Sequence, residues 1–297
     1  MASPPPDYLT TREVADLIRL KERKVYDLVA TGAIPFVRAT GKLLFPRALV
    51  EAWLAQHAEY AGGIDTLQKR PRICAGSHDP LLDWALREAG TQIAVNFGGS
   101  LAGLDSLAAG EAQMAGMHLP EGIDDAWNTG TVAQRLAGQP VVVIEWARRQ
   151  QGLIVAAGNP LGLKGLRDLK GRRFAGRQQG AGAFALLERL LASEHMRLGD
   201  LDMARPPALT ETDVAVAVSE GRAEVGLGIG AVAHQFRLGF VPLIKERYDL
   251  VIWRAAYFDD PVQKLLAFAR SDRFAEQARA LTGYDVSGLG TVHYNAP

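Results

Sequence analysis

Two stretches of this chain, more than a hundred residues apart, share one layout. Leu107-Ala108-Ala109-Gly110-Glu111-Ala112-Gln113-Met114-Ala115-Gly116 and Val216-Ala217-Val218-Ser219-Glu220-Gly221-Arg222-Ala223-Glu224-Val225-Gly226 each pass from an apolar helical segment, through glycine and charge, into a buried-strand pattern. Glycine lets a helix end at positive φ, after which the chain turns into the core. An echo at this distance predicts two similar lobes, because solenoid repeats recur every 20–50 residues or so, about a third of this spacing. Around the first copy the patterning predicts a strand over 73–75, a helix over 81–89, a strand over 92–97, a helix over 101–109 and a strand over 113–118. That alternation is the α/β pattern and predicts a mostly parallel sheet.

The chain has 297 residues, 48% of them hydrophobic, enough for two cores and too apolar for disorder. Its 33 basic and 33 acidic residues balance, which excludes a uniformly basic nucleic-acid coat or an acidic tail, so any charge signal must be local. A single cysteine, Cys74, excludes an intramolecular disulfide framework, and the usual structural zinc spacings are missing. No metal site, resident cofactor or catalytic residue is expected. The Pro-rich segment 1–8 lacks the features of a signal peptide, and no stretch approaches the roughly 20 apolar residues of a membrane span. A cytoplasmic protein with no membrane partner is the expectation.

Between Arg19 and Arg47, seven basic residues face only Glu22 and Asp27. This concentrates positive potential on one part of a small unit. Thr10 with Glu13 three residues later is a capping-box signal for a short helix with Val14, Ala15, Leu17 and Ile18 on one face. After a turn at Arg19-Leu20-Lys21, Val25, Leu28 and Val29 mark a second helix ended by Gly32. Its opposite face carries Arg23, Tyr26 and Asp27, with Lys24 on the flank, positioned for a major groove. Residues 34–38, a turn over 39–42 and Leu43-Leu44-Phe45 have the form of a two-stranded wing that brings Arg38 and Lys42 toward phosphate. A third helix is expected over 47–57 with Leu49, Ala52 and Trp53 inward.

The succession Tyr8-Leu9-Thr10-Thr11-Arg12-Glu13-Val14-Ala15, Lys24-Val25-Tyr26-Asp27-Leu28-Val29, Gly32-Ala33-Ile34-Pro35 and Phe45-Pro46-Arg47 ahead of Trp53 resembles the excisionase-type, MerR-like winged helix-turn-helix family. The resemblance implies double-stranded DNA as a partner. Turn formers and weak periodicity place a linker over 59–71, between a DNA-binding domain over 1–58 and a bilobed domain over 72–297.

The larger segment also carries a resemblance. Ala75-Gly76-Ser77-His78-Asp79-Pro80-Leu81-Leu82, Gly99-Ser100-Leu101-Ala102-Gly103-Leu104, Ala115-Gly116-Met117-His118-Leu119, Arg149-Gln150-Gln151-Gly152-Leu153-Ile154-Val155, Gly226-Leu227-Gly228-Ile229 and Glu246-Arg247-Tyr248-Asp249-Leu250 resemble the type II periplasmic-binding-protein superfamily, and within it the molybdate-binding-like domains fused behind excisionase-type DNA-binding domains. The implied fold class is α/β: a small winged helix-turn-helix plus a two-lobed domain.

Ser77 and Ser100 each follow a strand and precede a helix, so hydroxyls and helix N-terminal amides can converge on an oxyanion. From the other lobe come Arg177 and the loop amides of Gly180, Ala181 and Gly182, with Thr212 as one more donor. Where the resembling proteins tend to carry hydroxyl residues, this chain has Gly180-Ala181-Gly182-Ala183, which leaves only backbone donors there.

The expectation is a one-component transcription regulator, a homodimer that senses a small anion, with molybdate or tungstate the effector the resemblance implies. An organic metabolite as effector is one alternative. Another is an architectural or recombination-accessory DNA-binding protein whose large domain meets a protein. An enzyme would need an acid or base in the cleft, for which Glu121, Asp213 and His118 are weak candidates.

Overall fold

The computed structural model describes residues 6–39, 41–57, 70–122 and 126–296, and the chain divides into two compact units, Met1–Gln68 and Lys69–Pro297. The linker expected over 59–71 lies outside the described residues except for Arg70 and Pro71.

In the first unit the elements run β1 (Tyr8–Leu9), α1 (Thr11–Leu17), α2 (Glu22–Ala30), β2 (Val37–Ala39), β3 (Lys42–Pro46) and α3 (Arg47–Gln56). The capping box forms as the sequence predicts: Thr10 Oγ1 accepts the Glu13 N–H at 3.3 Å, and the Glu13 carboxylate accepts the Thr10 N–H at 2.7 Å. The antiparallel strands order as β1-β3-β2, with Arg38 opposite Leu43 in the wing. Thr40, in the predicted wing turn, lies outside the described residues. Val14, Val25, Val29, Ile34, Phe45 and Val50 fill the core.

The third helix differs from expectation. Val50 is buried and Trp53 packs against the core, whereas Leu49 is 52% exposed and Ala52 is exposed. The entry to α3 is fixed by buried Phe45 and by the Arg47 N–H, which donates to Asp7 O at 2.8 Å, and this phase turns the Val50 and Trp53 stripe inward.

The second unit continues with β4 (Ile73–Gly76), α4 (Pro80–Glu88), β5 (Ala94–Asn96), α5 (Ser100–Ala108), β6 (Met114–Met117), β7 (Pro120–Glu121), β8 (Ala126–Trp127), α6 (Thr129–Arg135) and β9 (Val141–Val155). Then come β10 (Arg173–Ala175), α7 (Gly182–Ser193), β11 (Asp202–Met203), α8 (Glu211–Ser219), β12 (Val225–Ile229), α9 (Gly230–Gln235) and β13 (Gly239–Trp253). The chain closes with α10 (Arg254–Tyr257), α11 (Asp260–Phe268), α12 (Asp272–Ala280), β14 (Tyr284–Asp285) and β15 (Val292–Asn295).

The main sheet orders as β11-β10-β12-β9-β13-β6-β4-β5. The parallel pairing expected from the alternation holds inside each lobe, where β4 pairs with β5 and β6, and β10 with β11 and β12. It fails at the join. There β9 and β13, fifteen residues each, run antiparallel along nearly their whole length. β12 pairs with residues 151–155 of β9, while β6 pairs with 249–252 of β13. The two long strands therefore belong to one lobe at one end and to the other at the opposite end. Between these ends, residues 147–150 and 245–248 form the hinge, flanked by register breaks at Pro242/Ile244 and Tyr248/Asp249. β14 lies against Arg148 and Arg149, and β15 against residues 142–144.

β4 and β6 pack to backbone contact against Tyr248 of β13. Tyr248 Oη donates to Ser77 O at 2.5 Å, and a Cβ at Gly116 would collide with that hydroxyl. Gly116→Ala should therefore cost about 1–3 kcal/mol of unfolding free energy, the usual penalty for overpacking. Adding Tyr248→Phe should return part of it; an unchanged melting temperature in Gly116→Ala would disprove the contact.

Candidate functional site

In the first unit, burial of Val25 and Val29 turns Arg23, Lys24 and Tyr26 of α2 to solvent, with Tyr26 51% exposed. Arg38 lies 5.6 Å from the Phe36 ring centroid, which steadies its guanidinium on the wing, and Lys42 is exposed at the start of β3. A recognition helix flanked by wing cations has the chemistry to read a groove and grip phosphate.

In the second unit, Ser77 and Ser100 are buried, and neither is a helix N-cap. Asp79 caps α4, accepting the Leu82 N–H at 2.7 Å, and Gly99 stands at the N-cap of α5. Both serine hydroxyls instead meet His118, just after β6. Ser77 Oγ is 2.9 Å from His118 Nε2, and Ser100 Oγ accepts the His118 N–H at 3.3 Å.

Residues 180–182 close over them from the other lobe. The Leu101 N–H donates to Gly180 O at 3.2 Å, and Gln178 Nε2 donates to Gly98 O at 3.4 Å. Gly182 permits the approach: a Cβ there would lie 2.8 Å from His118 Nε2. Ser77, Ser100, Gly180, Ala181 and Gly182 thus come together as the sequence predicts, around a histidine that the sequence offered only as a weak catalytic candidate.

Arg177 does not join them. Its Nη1 pairs with Glu211 at 2.9 Å and its Nη2 donates to Leu209 O at 2.9 Å, so the guanidinium expected to face an anion is engaged within its own lobe. Thr212 lies in the first turn of α8, capped by Thr210, and lines with His78 and His234 a cavity of about 370 Å³. Glu121 accepts the N–H groups of Gly130 and Thr131 at 2.8 and 2.6 Å, and Asp213 those of Leu209 and Thr210 at 3.1 and 2.9 Å. Both carboxylates hold backbone.

Behind His118 stands a buried polar cluster that spans the hinge. Glu246 Oε2 meets His118 Nδ1 at 2.7 Å; Arg149 donates from Nε to Glu246 Oε1 at 2.8 Å and from Nη1 to Asp79 Oδ2 at 2.9 Å. Gln151 Nε2 donates to Glu246 Oε1 at 3.1 Å, and the Tyr284 hydroxyl reaches Asp79. Burial pushes the Glu246 carboxyl up, but Arg149 and His118 more than offset this and hold it at about 2. Burial likewise opposes the Arg149 charge, which Glu246 and Asp79 keep in place.

Around the cleft, three buried carboxylates, Asp79, Glu211 and Glu246, face two buried guanidiniums, Arg149 and Arg177. Glu211 Oε2 and His78 Nδ1 have no hydrogen-bond partner among the described residues.

The segments that hold Arg149 and Glu246 belong to the sequence resemblance, which implies no role for either residue. The available signal was the polar run Arg148-Arg149-Gln150-Gln151 inside a strand whose one other charge is Glu145, facing Lys245-Glu246-Arg247 inside another. A charge in a buried strand must be paired.

The two units define a helix-turn-helix domain fused to a two-lobed binding domain. Residues 84–270, more than half of the chain, match the PBP superfamily domain, and residues 8–58 match a helix-turn-helix domain, so the chain belongs to the PBP superfamily and carries a helix-turn-helix ahead of it. YvgK of Bacillus subtilis (strain 168), a protein of uncharacterised function, is 26% identical over 95% of this chain and 96% of its own length. Among solved structures, a Clostridium perfringens protein assigned as a phosphate ABC transporter substrate-binding protein, with bound phosphate, superposes with a TM-score of 0.54 at 11% identity, covering 74% of this chain and 98% of that one. The ancestral amino acid-binding protein AncCDT-1 gives 0.50 at 12% identity over 71% of this chain and 95% of its own. At these identities the likeness is one of fold.

Arg149→Met should cost about 3–5 kcal/mol at neutral pH, because it leaves two buried carboxylates uncompensated. Glu246, depressed from 4.5 to about 2, contributes stability that is complete above 4.5 and is lost as pH falls toward 2. In Arg149→Met that dependence should invert, with the variant recovering relative to the parent as the orphaned Glu246 carboxyl protonates. Denaturant unfolding across pH checks both.

Proposed function

We propose that this chain is a cytoplasmic, ligand-responsive transcription regulator that works as a homodimer and catalyses no reaction. Its helix-turn-helix reads double-stranded DNA with Arg23, Lys24 and Tyr26 while Arg38 and Lys42 hold phosphate. Its effector is a small anion taken between the lobes by Ser77, Ser100 and His118 on one side and the Gly180 and Gly182 amides on the other, the Ala181 N–H being given to Gln178 O, with Thr212 at the margin. One observation carries the reading: a DNA-binding domain is joined in one chain to a domain whose lobes meet over two buried serine hydroxyls. Lobe closure can change the presentation of paired DNA-binding units, and paired readers gain specificity that one short helix lacks.

The sequence resemblance makes molybdate and tungstate the effectors to test first. With Arg177 tied to Glu211, an entering anion meets more buried carboxylate than guanidinium. The Ser77 and Ser100 hydroxyls and the loop amides facing them are its neutral donors. A thermal-shift titration with molybdate and tungstate, against sulfate and phosphate, tests this. Effector at about 100 times its dissociation constant adds roughly 2.7 kcal/mol of stability, and Ser100→Ala should abolish the gain. No shift with any oxyanion would move the effector to an organic metabolite. On the DNA side, Lys42→Ala should weaken binding to all sequences and flatten the salt dependence by about one phosphate contact.

The order Ser77 hydroxyl, His118 imidazole, Glu246 carboxylate favours a second reading, hydrolysis with Ser77 as nucleophile. Glu246 is already paired with Arg149, so its charge is not reserved for activating a His118–Ser77 pair, which is why binding is preferred. Turnover of an activated ester by the parent, lost in Ser77→Ala with folding intact, would reverse the preference.

A further inference from the structure

We infer that the second lobe carries a separate site for a small organic anion, in a cavity of about 310 Å³ between β10 and α8. Arg173 on β10, Arg205 on the segment after β11, and Arg222 after α8 line it. Arg222 Nε is held by Glu220 at 2.7 Å, whereas neither Arg173 nor Arg205 has a carboxylate within ion-pair reach among the described residues. The one acid on the wall, Asp213, already accepts the Leu209 and Thr210 N–H groups. The wall thus presents unmatched guanidinium donors.

Its remaining surface is apolar. Ala204, Pro207, Ala208 and Leu209 contribute, and Leu209 is 61% exposed, a large side chain left to water beside two free cations. A bare inorganic anion would use the guanidiniums and leave this surface wet. A ring-sized body bearing one phosphate or carboxylate uses both, because arginine forks pair bidentately with such groups. The volume lies at the lower end of small-molecule sites, about 300–1,000 Å³.

The cavity is distinct from the cleft, since Ser77, Ser100 and His118 take no part in it. The chain nevertheless connects the two. From the cavity the backbone passes through Leu209, whose carbonyl holds Arg177, to Glu211 and Thr212. The site stands whether or not the cleft takes an oxyanion.

The probe is phenyl phosphate, titrated calorimetrically into the full chain at neutral pH and low salt, beside inorganic phosphate. Saturable binding at about 1 mM or tighter is expected. Arg173→Gln and Arg205→Gln should each weaken it roughly tenfold, the effect of losing one charge-assisted hydrogen bond. Both side chains are exposed, so the variants should keep the parent melting temperature. Both titrations are repeated in Ser100→Ala, where the cleft no longer takes an anion, so that saturable binding read there belongs to this site alone. The inference is overturned by the absence of saturable binding at about 10 mM, by full binding in the double variant, or by inorganic phosphate binding as tightly as phenyl phosphate.

Discussion

The second unit depends on one buried guanidinium. Arg149 sits where β9 passes from one lobe to the other, with Glu246 from β13 on one side and Asp79 from the turn before α4 on the other. Asp79 is also the N-cap of α4, and Glu246 orients His118, which in turn holds the Ser77 hydroxyl. One cation therefore fixes a helix start, a histidine and a candidate ligand hydroxyl together. An ion cluster of this kind adds little net stability over an apolar core, but it penalises every wrong arrangement of its members. Placed at a hinge, it makes the geometry of the join specific.

Much of the architecture was legible in the sequence because local signals and global fold agree. Thr10 and Glu13 form the box their spacing predicts, and the echo at Gly110 and Gly221 marks equivalent helix ends, both glycines at positive φ. The antiparallel join was not legible, since a long strand shared by two lobes has no local pattern different from a strand in one. The inward face of α3 was misjudged for a related reason: Leu49 is the more apolar choice locally, but the phase of the helix is set by Phe45 and Arg47, outside it.

The candidate site shows the same division. Ser77, Ser100 and residues 180–182 were visible because each sits at a strand-to-helix passage, where donors are expected. Arg177 was placed in the right lobe and given the wrong partner. Sequence supplies the cation, but its pairing with Glu211, thirty-four residues away, is a matter of tertiary contact. His118 stands in the sequence only as a weak acid or base candidate, and its importance emerges only when β6 and β13 lie side by side.

The pairing of residues 284–295 with β9 bears on how such a domain evolves. β14 lies against Arg148 and Arg149, β15 against residues 142–144, and Tyr284 reaches Asp79, so this late segment splints the hinge from outside the pocket. The stiffness of opening and the identity of the ligand are thereby written in different parts of the chain. Substitutions in the splint can retune how readily the lobes part while every pocket-facing group stays unchanged, and a sensor can shift its threshold without losing its specificity.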